Sequence, residues 1–140
     1  MYIKRATKDD IPAIKALISK QAKKVPFFES MINKSDIAYQ VRTEDGTLIA
    51  FLYCGLMANK KIAYIDSLVV DPEYKNQKVA ARLALHIHQE LRARKIDRCS
   101  AFSMQDSEQR KLFSSLEKLS AYTKEVPTVS GGVLIEWFKV

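Results

Sequence analysis

Residues 69 to 83 read VVDPEYKNQKVAARL: an apolar strand, a short basic turn, then a helix. Such a junction can do chemistry. The first N–H groups of a helix have no partner within it, and the macrodipole adds a partial positive charge, so a strand-to-helix turn is a place for phosphate. An exposed helix end contributes only about 0.3–1 kcal/mol per charge, so flanking cations matter. Lys75 and Lys78 lie in the turn, and Arg82 stands one turn into the helix. Three cations around one helix start suit a diphosphate. The turn contains no glycine, the residue that usually lets backbone N–H groups reach a phosphate.

The elements that must hold this turn follow from hydrophobic period and punctuation. YIKRAT reads as a first strand. TKDD follows, where Thr7 or Asp9 can cap a helix whose unpartnered early N–H groups tolerate Pro12. Ile11, Ile14, Leu17 and Ile18 recur at helical spacing and carry that helix to about Lys24. Pro26 interrupts it, and FFESMINK reads as a second short helix. Three strands follow in residues 37 to 70, with EDG as the hairpin turn between the first two and ANKK between the second and third. Residues 79 to 95 form the clearest helix, in which Ala80, Leu83, Ala84, Ile87 and Leu91 make one apolar stripe while Arg82, His86, Gln89 and Arg92 lie off it. DRCSAFSM is a fifth strand, SEQRKLFSSLEKL a helix and VLIEWFKV a terminal strand, with Gly131 and Gly132 marking the turn before it. A strand–helix–strand unit thus sits between antiparallel hairpins. The expected fold class is α+β (mixed α/β), one mixed central sheet of about six to seven strands with helices on both faces.

A length of 140 residues implies one domain, long enough to bury a core without disulfides or metal. The apolar run LIAFLYCGLMA is far too short to span a bilayer as a helix. The N-terminus MYIKRATKDD carries no apolar segment of the kind a secretory signal has, so a reducing, cytoplasmic setting is expected, with Cys54 and Cys99 as buried thiols. A net charge of +7 admits nucleic acid, an anionic membrane or a polyanionic nucleotide as partner, or simply a solvated basic surface. The cations are spread along the chain, so charge alone does not choose.

The stretch SLVVDPEYKNQKVAARL resembles the coenzyme A loop of the GNAT acetyltransferase superfamily. The pattern there is an apolar strand, Val-x-Pro-x-Tyr, then Arg or Gln-x-x-Gly-x-Gly/Ala, then a helix. Val70, Pro72 and Tyr74 match, Lys75 takes the Arg/Gln position, and Ala80 takes the last small position. Lys78 stands in place of the central glycine. The order of elements from residue 2 to 139 resembles the family as well. If position 78 needs a left-handed backbone, its side chain costs roughly 1–2 kcal/mol; if it is helical, its Cβ crowds the phosphate instead. One added ammonium recovers about 1 kcal/mol. Weakened binding is expected, not abolished binding.

The resemblance implies attack of an amine on acetyl-CoA as acyl donor, without a covalent enzyme intermediate. Such attack needs a base, a donor for the developing oxyanion and an acid for the departing thiolate. It places the backbone of Leu68 and Val70 along the pantetheine, and the main-chain amides of Lys75, Asn76, Gln77, Lys78, Val79, Ala80 and Ala81 around the diphosphate. Asp66 falls where several members carry a glutamate base, and an otherwise apolar strand would desolvate it, the environment that makes a carboxylate basic. A structural carboxylate paired with a lysine, or capping a loop, is the alternative. For the acid, QRKLFSSLEKL aligned on the family's last helix puts Gln109 at an Asn position, Ser120 at a Gly position and Leu116 at the usual tyrosine. Leucine donates no proton, which leaves Tyr122 and Tyr64 as substitutes.

Two functions are therefore open. One is an N-acetyltransferase acting on an unidentified primary amine. The other is a catalytically inactive module of the same fold that engages nucleic acid or an acidic protein through its basic surface. His86 and His88 lie roughly 200° apart around their helix, so they do not share a metal, and no metal site is expected. Phe27 and Phe28 either line a substrate groove or pack in the core. The substrate-facing segments are residues 25 to 35 and the connection near 122 to 132. Terminal strands such as VLIEWFKV often join dimers in this superfamily, so a homodimer is an open possibility and a membrane is not.

Overall fold

A β-strand first, β1 (Tyr2–Arg5), leads into α1 (Ile11–Ser19) and the hairpin strands β2 (Ile37–Arg42) and β3 (Leu48–Met57). Then come β4 (Ile62–Val70), α2 (Val79–Ala93), β5 (Arg98–Ser103), α3 (Ser107–Leu119), β6 (Thr123–Pro127) and β7 (Val133–Lys139). The structure is a computed structural model that describes residues 1–22, 25–57, 59, 61–75, 78–96, 98–103, 107–119, 123–127 and 133–139, with backbone alone at 101–103, 107, 109, 113, 117, 123–127 and 133–139. The strands form one sheet in the order β1-β2-β3-β4-β5-β7-β6, antiparallel except where β4 meets β5. That parallel pair requires a crossover, and α2 supplies it. β6 occupies part of the connection expected to face substrate, and Gly131 and Gly132 lie outside the described residues.

The strands alternate their side chains between two cores. Ala63, Ile65, Leu68 and Val70 of β4 join Leu83, Ala84, Ile87 and Leu91 of α2 and Leu112 and Leu116 of α3 on one face. Val69 joins Phe51 and Tyr53 of β3 with Ile14 and Leu17 of α1 on the other. The stripe read from α2 is the buried one, and α3 spans the predicted SEQRKLFSSLEKL.

Two expectations fail near the first helix. α1 stops at Ser19 rather than near Lys24, and FFESMINK contributes only a 3-10 turn at Glu29–Met31. The reason is local. Asn33 accepts from the amides of Ser35 and Asp36, each at 2.8 Å, so side-chain-to-backbone bonds replace a helical ladder there. Asp36 is anchored in turn by Tyr53, whose hydroxyl donates to it at 2.6 Å.

Cys54 and Cys99 are buried free thiols. Their strands flank β4, which holds their backbones about 9.5 Å apart, beyond the span of a disulfide. Hydrogen bonding with Cys54, reinforced by burial, pushes the Cys99 thiol up from its ordinary pKa.

α2 ends in a Schellman turn. Ile96 N–H donates to Leu91 C=O at 2.9 Å and Lys95 N–H to Arg92 C=O at 3.0 Å, with Lys95 left-handed at φ 59°. Glycine is the usual residue at that position because it has no Cβ to strain. Lys95→Gly is expected to raise stability by about 1 kcal/mol, read as a higher urea midpoint at unchanged slope.

Candidate active site

The site begins with an irregularity in β4. Tyr53 of β3 pairs with Ser67, but Cys54 pairs with Ile65, so Asp66 is an extra residue bulged out of the ladder. Pairing between β4 and β5 ends at the same level, with Ile65 opposite Ala101. Beyond it the two strands part. Asp71 N–H donates to Ile49 C=O of β3 at 2.8 Å. Strand alternation then turns the backbone groups of Leu68 and Val70 the other way, toward the edge that β5 leaves open. Among the described residues these two alternate amide–carbonyl sets have no strand partner on that edge, and such groups can hold a linear, amide-containing chain.

At the C-terminal end of β4, Asp71 holds the loop. Its carboxylate accepts from Glu73 N–H at 3.0 Å and from Lys20 Nζ at 3.1 Å. Burial pushes its pKa up, but these two donors and the Lys20 charge prevail and hold it below the usual carboxylate range. Tyr74 packs its ring against the α2-side core. The loop then enters α2 through Lys78, whose backbone is left-handed at φ 58° and ψ 28°. Of the two states considered for that residue, the strained one is adopted. The first helical bond runs from Arg82 N–H to Lys78 C=O at 3.2 Å. No side chain caps the helix, so among the described residues the amides of Val79, Ala80 and Ala81 are unpaired. Asn76 and Gln77 lie outside the described residues.

A cavity of about 520 Å³ opens in front of these amides. Lys75 and Lys78 line it from the loop, and Lys111, Ser114, Ser115 and Lys118 line it from α3. Lys111 Nζ also donates to the Lys75 carbonyl at 3.2 Å and pairs with Glu108 at 3.0 Å, tying α3 to the loop. Arg82 is not part of the cavity; its guanidinium donates to the Met1 carbonyl at 3.5 Å. Sequence reasoning missed the α3 residues, although Lys111, Ser114, Ser115 and Lys118 share one helical stripe by their i, i+3, i+4, i+7 spacing. Among the described residues that line it, four lysines face one carboxylate, Glu108, beside unpaired helix amides, an arrangement that can hold a diphosphate.

The seat continues into a channel of about 130 Å³ lined by Leu68 and Val70, which shares Lys75 and Glu108 with the first cavity. Val25 then joins the channel to a third cavity of about 500 Å³ walled by Ile18, Pro26, Phe27 and Phe28. The three cavities thus lie in succession through shared wall residues, from the α2 amides past Leu68 and Val70 to an aromatic shelf.

Asp66 is exposed, and among the described residues its carboxylate has no hydrogen-bond or ion-pair partner. The desolvation expected of it is absent, because the bulge lifts it out of the apolar strand. Next to it, Ser67 Oγ donates to the Pro26 carbonyl at 3.2 Å, which brings the aromatic shelf alongside. Phe28 is 64% exposed, so core packing does not hold it, whereas Phe27 stands edge-on to Phe51 with centroids 5.5 Å apart. Leu116 is fully buried in the α2-side core and serves packing alone. Tyr64 leans over Gly55, where an added Cβ would overlap its ring, and meets Tyr53 edge-on at 6.4 Å. Its hydroxyl thus lies on the β3 side, over Gly55. Tyr122 lies outside the described residues. His86 stands edge-on to Tyr39 and His88 is buried, both away from these cavities.

A family profile described as Acetyltransferase (GNAT) family matches residues 9–114, well over half the chain. Comparison with curated proteins found no match. Among solved structures, the ribosomal-protein-S18-alanine N-acetyltransferase of Escherichia coli superposes with a TM-score of 0.70 at 20% identity, over 99% of this chain and 92% of that one. The PaiA N-acetyltransferase of Thermoplasma acidophilum, in complex with coenzyme A, gives 0.72 at 19% identity over 96% of each chain. The GNAT domain of S. lividans PAT gives 0.76 at 15% identity, over 99% of this chain and 89% of that one. At these identities the structural likeness establishes the fold, and among the described residues no helix is long and apolar enough to cross a membrane. With the family profile covering well over half of it, the chain belongs to the GNAT acetyltransferase family.

Proposed function

We propose that this protein is an N-acetyltransferase that moves an acetyl group from acetyl-CoA to a primary amine by direct attack, with residues 1–140 working as one domain. The observation that carries the reading is the unpaired α2 amides and four lysines around one cavity, which shares Lys75 and Glu108 with the channel lined by Leu68 and Val70. The amides of Val79, Ala80 and Ala81, with Lys75, Lys78 and the α3 lysines, take the diphosphate. Asn76 and Gln77 are assigned to the same loop contact. Leu68 and Val70 bond the pantetheine amides through their backbones and direct an N–H toward the thioester oxygen.

Bound acetyl-CoA supplies the thioester carbonyl. Asp66 orients the amine and accepts its proton as the N–C bond forms and the C–S bond breaks. The sulfur leaves as a thiolate and is protonated by water at the open edge or by Tyr122. Coenzyme A thiol leaves readily, so an acid is dispensable for turnover.

Calorimetry with acetyl-CoA tests the seat. Micromolar binding that weakens as salt rises is expected, and no heat at millimolar ligand would sink the proposal. Lys78→Gly relieves the left-handed strain while removing one charge, so affinity is expected to hold or improve. Lys78→Glu reverses a charge beside at least two negative ones, and a ten- to thirtyfold loss is expected, roughly 2 kcal/mol at this exposure. Tighter binding by the glutamate variant would mean the phosphates lie elsewhere.

A further inference from the structure

We infer that the amine acceptor is a monocationic apolar amine, an aryl- or alkylamine whose hydrophobic body adjoins its primary amino group; this rests on the acetyl-transfer reading above. The last of the three cavities is its binding place. That cavity of about 500 Å³ is walled by Ile18, Val25, Pro26, Phe27 and Phe28, with Lys15 at its rim. It shares the wall residue Val25 with the channel beneath Leu68 and Val70, which puts its occupant next to the donor's path.

The shelf and the carboxylate are held together by the bond from Ser67 Oγ to the Pro26 carbonyl at 3.2 Å, one residue from Asp66. Phe27 is fixed edge-on by Phe51, and Phe28, 64% exposed, offers a free ring face. An apolar body covers that face, and an adjacent ammonium gains from both carboxylate and ring.

The charges select the number of ammonium groups. Glu29, the other carboxylate near the shelf, is already paired with Lys15 at 3.2 Å. Asp66, next to the Ser67 that bonds Pro26, has no partner among the described residues and matches one ammonium. The second and third charges of a polyamine would find no carboxylate among the described residues lining the cavity and would meet a chain of net charge +7, which repels polycations at a distance. A hydrophobic body is selected by contact and a polycation is rejected by field.

The test uses 2-phenylethylamine, n-propylamine and spermidine as probes, with calorimetry on the coenzyme A-loaded protein and thiol release from acetyl-CoA. The expected result is binding of 2-phenylethylamine at least tenfold tighter than either other probe. Phe28→Ala is expected to raise its KM about tenfold, the scale of losing an apolar contact in a specificity pocket. Because Phe28 is exposed, that variant keeps its fold, and its affinity for acetyl-CoA serves as the check. Spermidine or n-propylamine binding as well as 2-phenylethylamine, or an unchanged KM in the variant, overturns this inference while acetyl-CoA binding keeps the proposed function standing. Absence of acetyl-CoA binding overturns both.

Discussion

Asp66→Asn lowers kcat for acetyl transfer about a hundredfold and leaves acetyl-CoA affinity unchanged. That is the expected result if the bulged carboxylate takes the proton of the amine, since general bases contribute about 10²–10⁴-fold and an exposed one falls at the low end. Asparagine keeps the size and the acceptor oxygen but loses the charge and the basicity. Asp66 has no partner among the described residues, so the substitution orphans no neighbour and the fold is expected to be indifferent to it. Asp66→Glu should recover much of the rate, because its longer arm still starts from the bulge beside Ser67. Steady-state kinetics with calorimetry on the same preparations separates the roles. Equal rates in wild type and Asp66→Asn would remove the residue from the mechanism. A parallel loss of acetyl-CoA affinity would mean that the bulge itself had shifted.

The second large effect concerns stability. Asp10 is buried and its carboxylate accepts four hydrogen bonds: Thr7 N–H at 2.8 Å, Thr7 Oγ1 at 3.0 Å, Gln40 Nε2 at 2.6 Å and Arg42 Nη2 at 2.9 Å. Arg42 continues to Gln40 Oε1 at 2.7 Å and to the Gly46 carbonyl at 2.6 Å, while Gln40 reaches the Arg5 carbonyl at 3.1 Å. One carboxylate thus joins β1, the start of α1, β2 and the β2–β3 hairpin. Asp10→Ala takes one acceptor from the fully buried Gln40 and removes the counter-charge of a mostly buried guanidinium. Breaking such a pair by removing one member costs about 3–5 kcal/mol, and residual solvent contact places this one near 3. Against a typical total of about 5–15 kcal/mol, that is a large fraction. A fall in Tm of roughly 10 °C is expected, and a shift under 2 °C would show that solvent replaces the carboxylate freely.

The same network sets an acid limit. Burial pushes the Asp10 pKa up, but the bonds from Thr7, Gln40 and Arg42 outweigh it and hold the group below its ordinary 3.8. Asp36 is held low in the same way, burial opposed by Tyr53, Asn33, the Leu56 amide and the Arg94 charge. A carboxylate depressed in the folded state adds stability that is fully present above its unfolded pKa and disappears as pH falls through its folded one. Stability is therefore expected to decline below about pH 4. Asp10→Ala should flatten that decline, which urea midpoints across pH 2–6 would reveal.

How much was legible beforehand differed between elements and site. α3 and the buried stripe of α2 could be read directly, because a 3.6-residue period is a local property and survives in any surroundings. The β2–β3 turn was legible for a similar reason: Gly46 takes φ 89°, which its neighbours in EDG do not require of themselves. The 27–34 segment misled because its apolar residues suggested a helix, while Asn33 offered its backbone a competing set of bonds.

By itself the sequence determined the run of strands and helices from β2 to α3, the basic turn after β4 and the family resemblance carried by Val70, Pro72 and Tyr74, all features written in neighbouring residues. Only tertiary structure decided that Asp66 bulges, that Leu68 and Val70 face an open edge, that Lys111 and Lys118 rather than Arg82 complete the seat, and that Phe28 stays uncovered. Each of those depends on where one strand or helix meets another distant in the chain. A one-residue shift in the β3–β4 register would reverse which backbone groups face the cleft, and no local pattern encodes that shift.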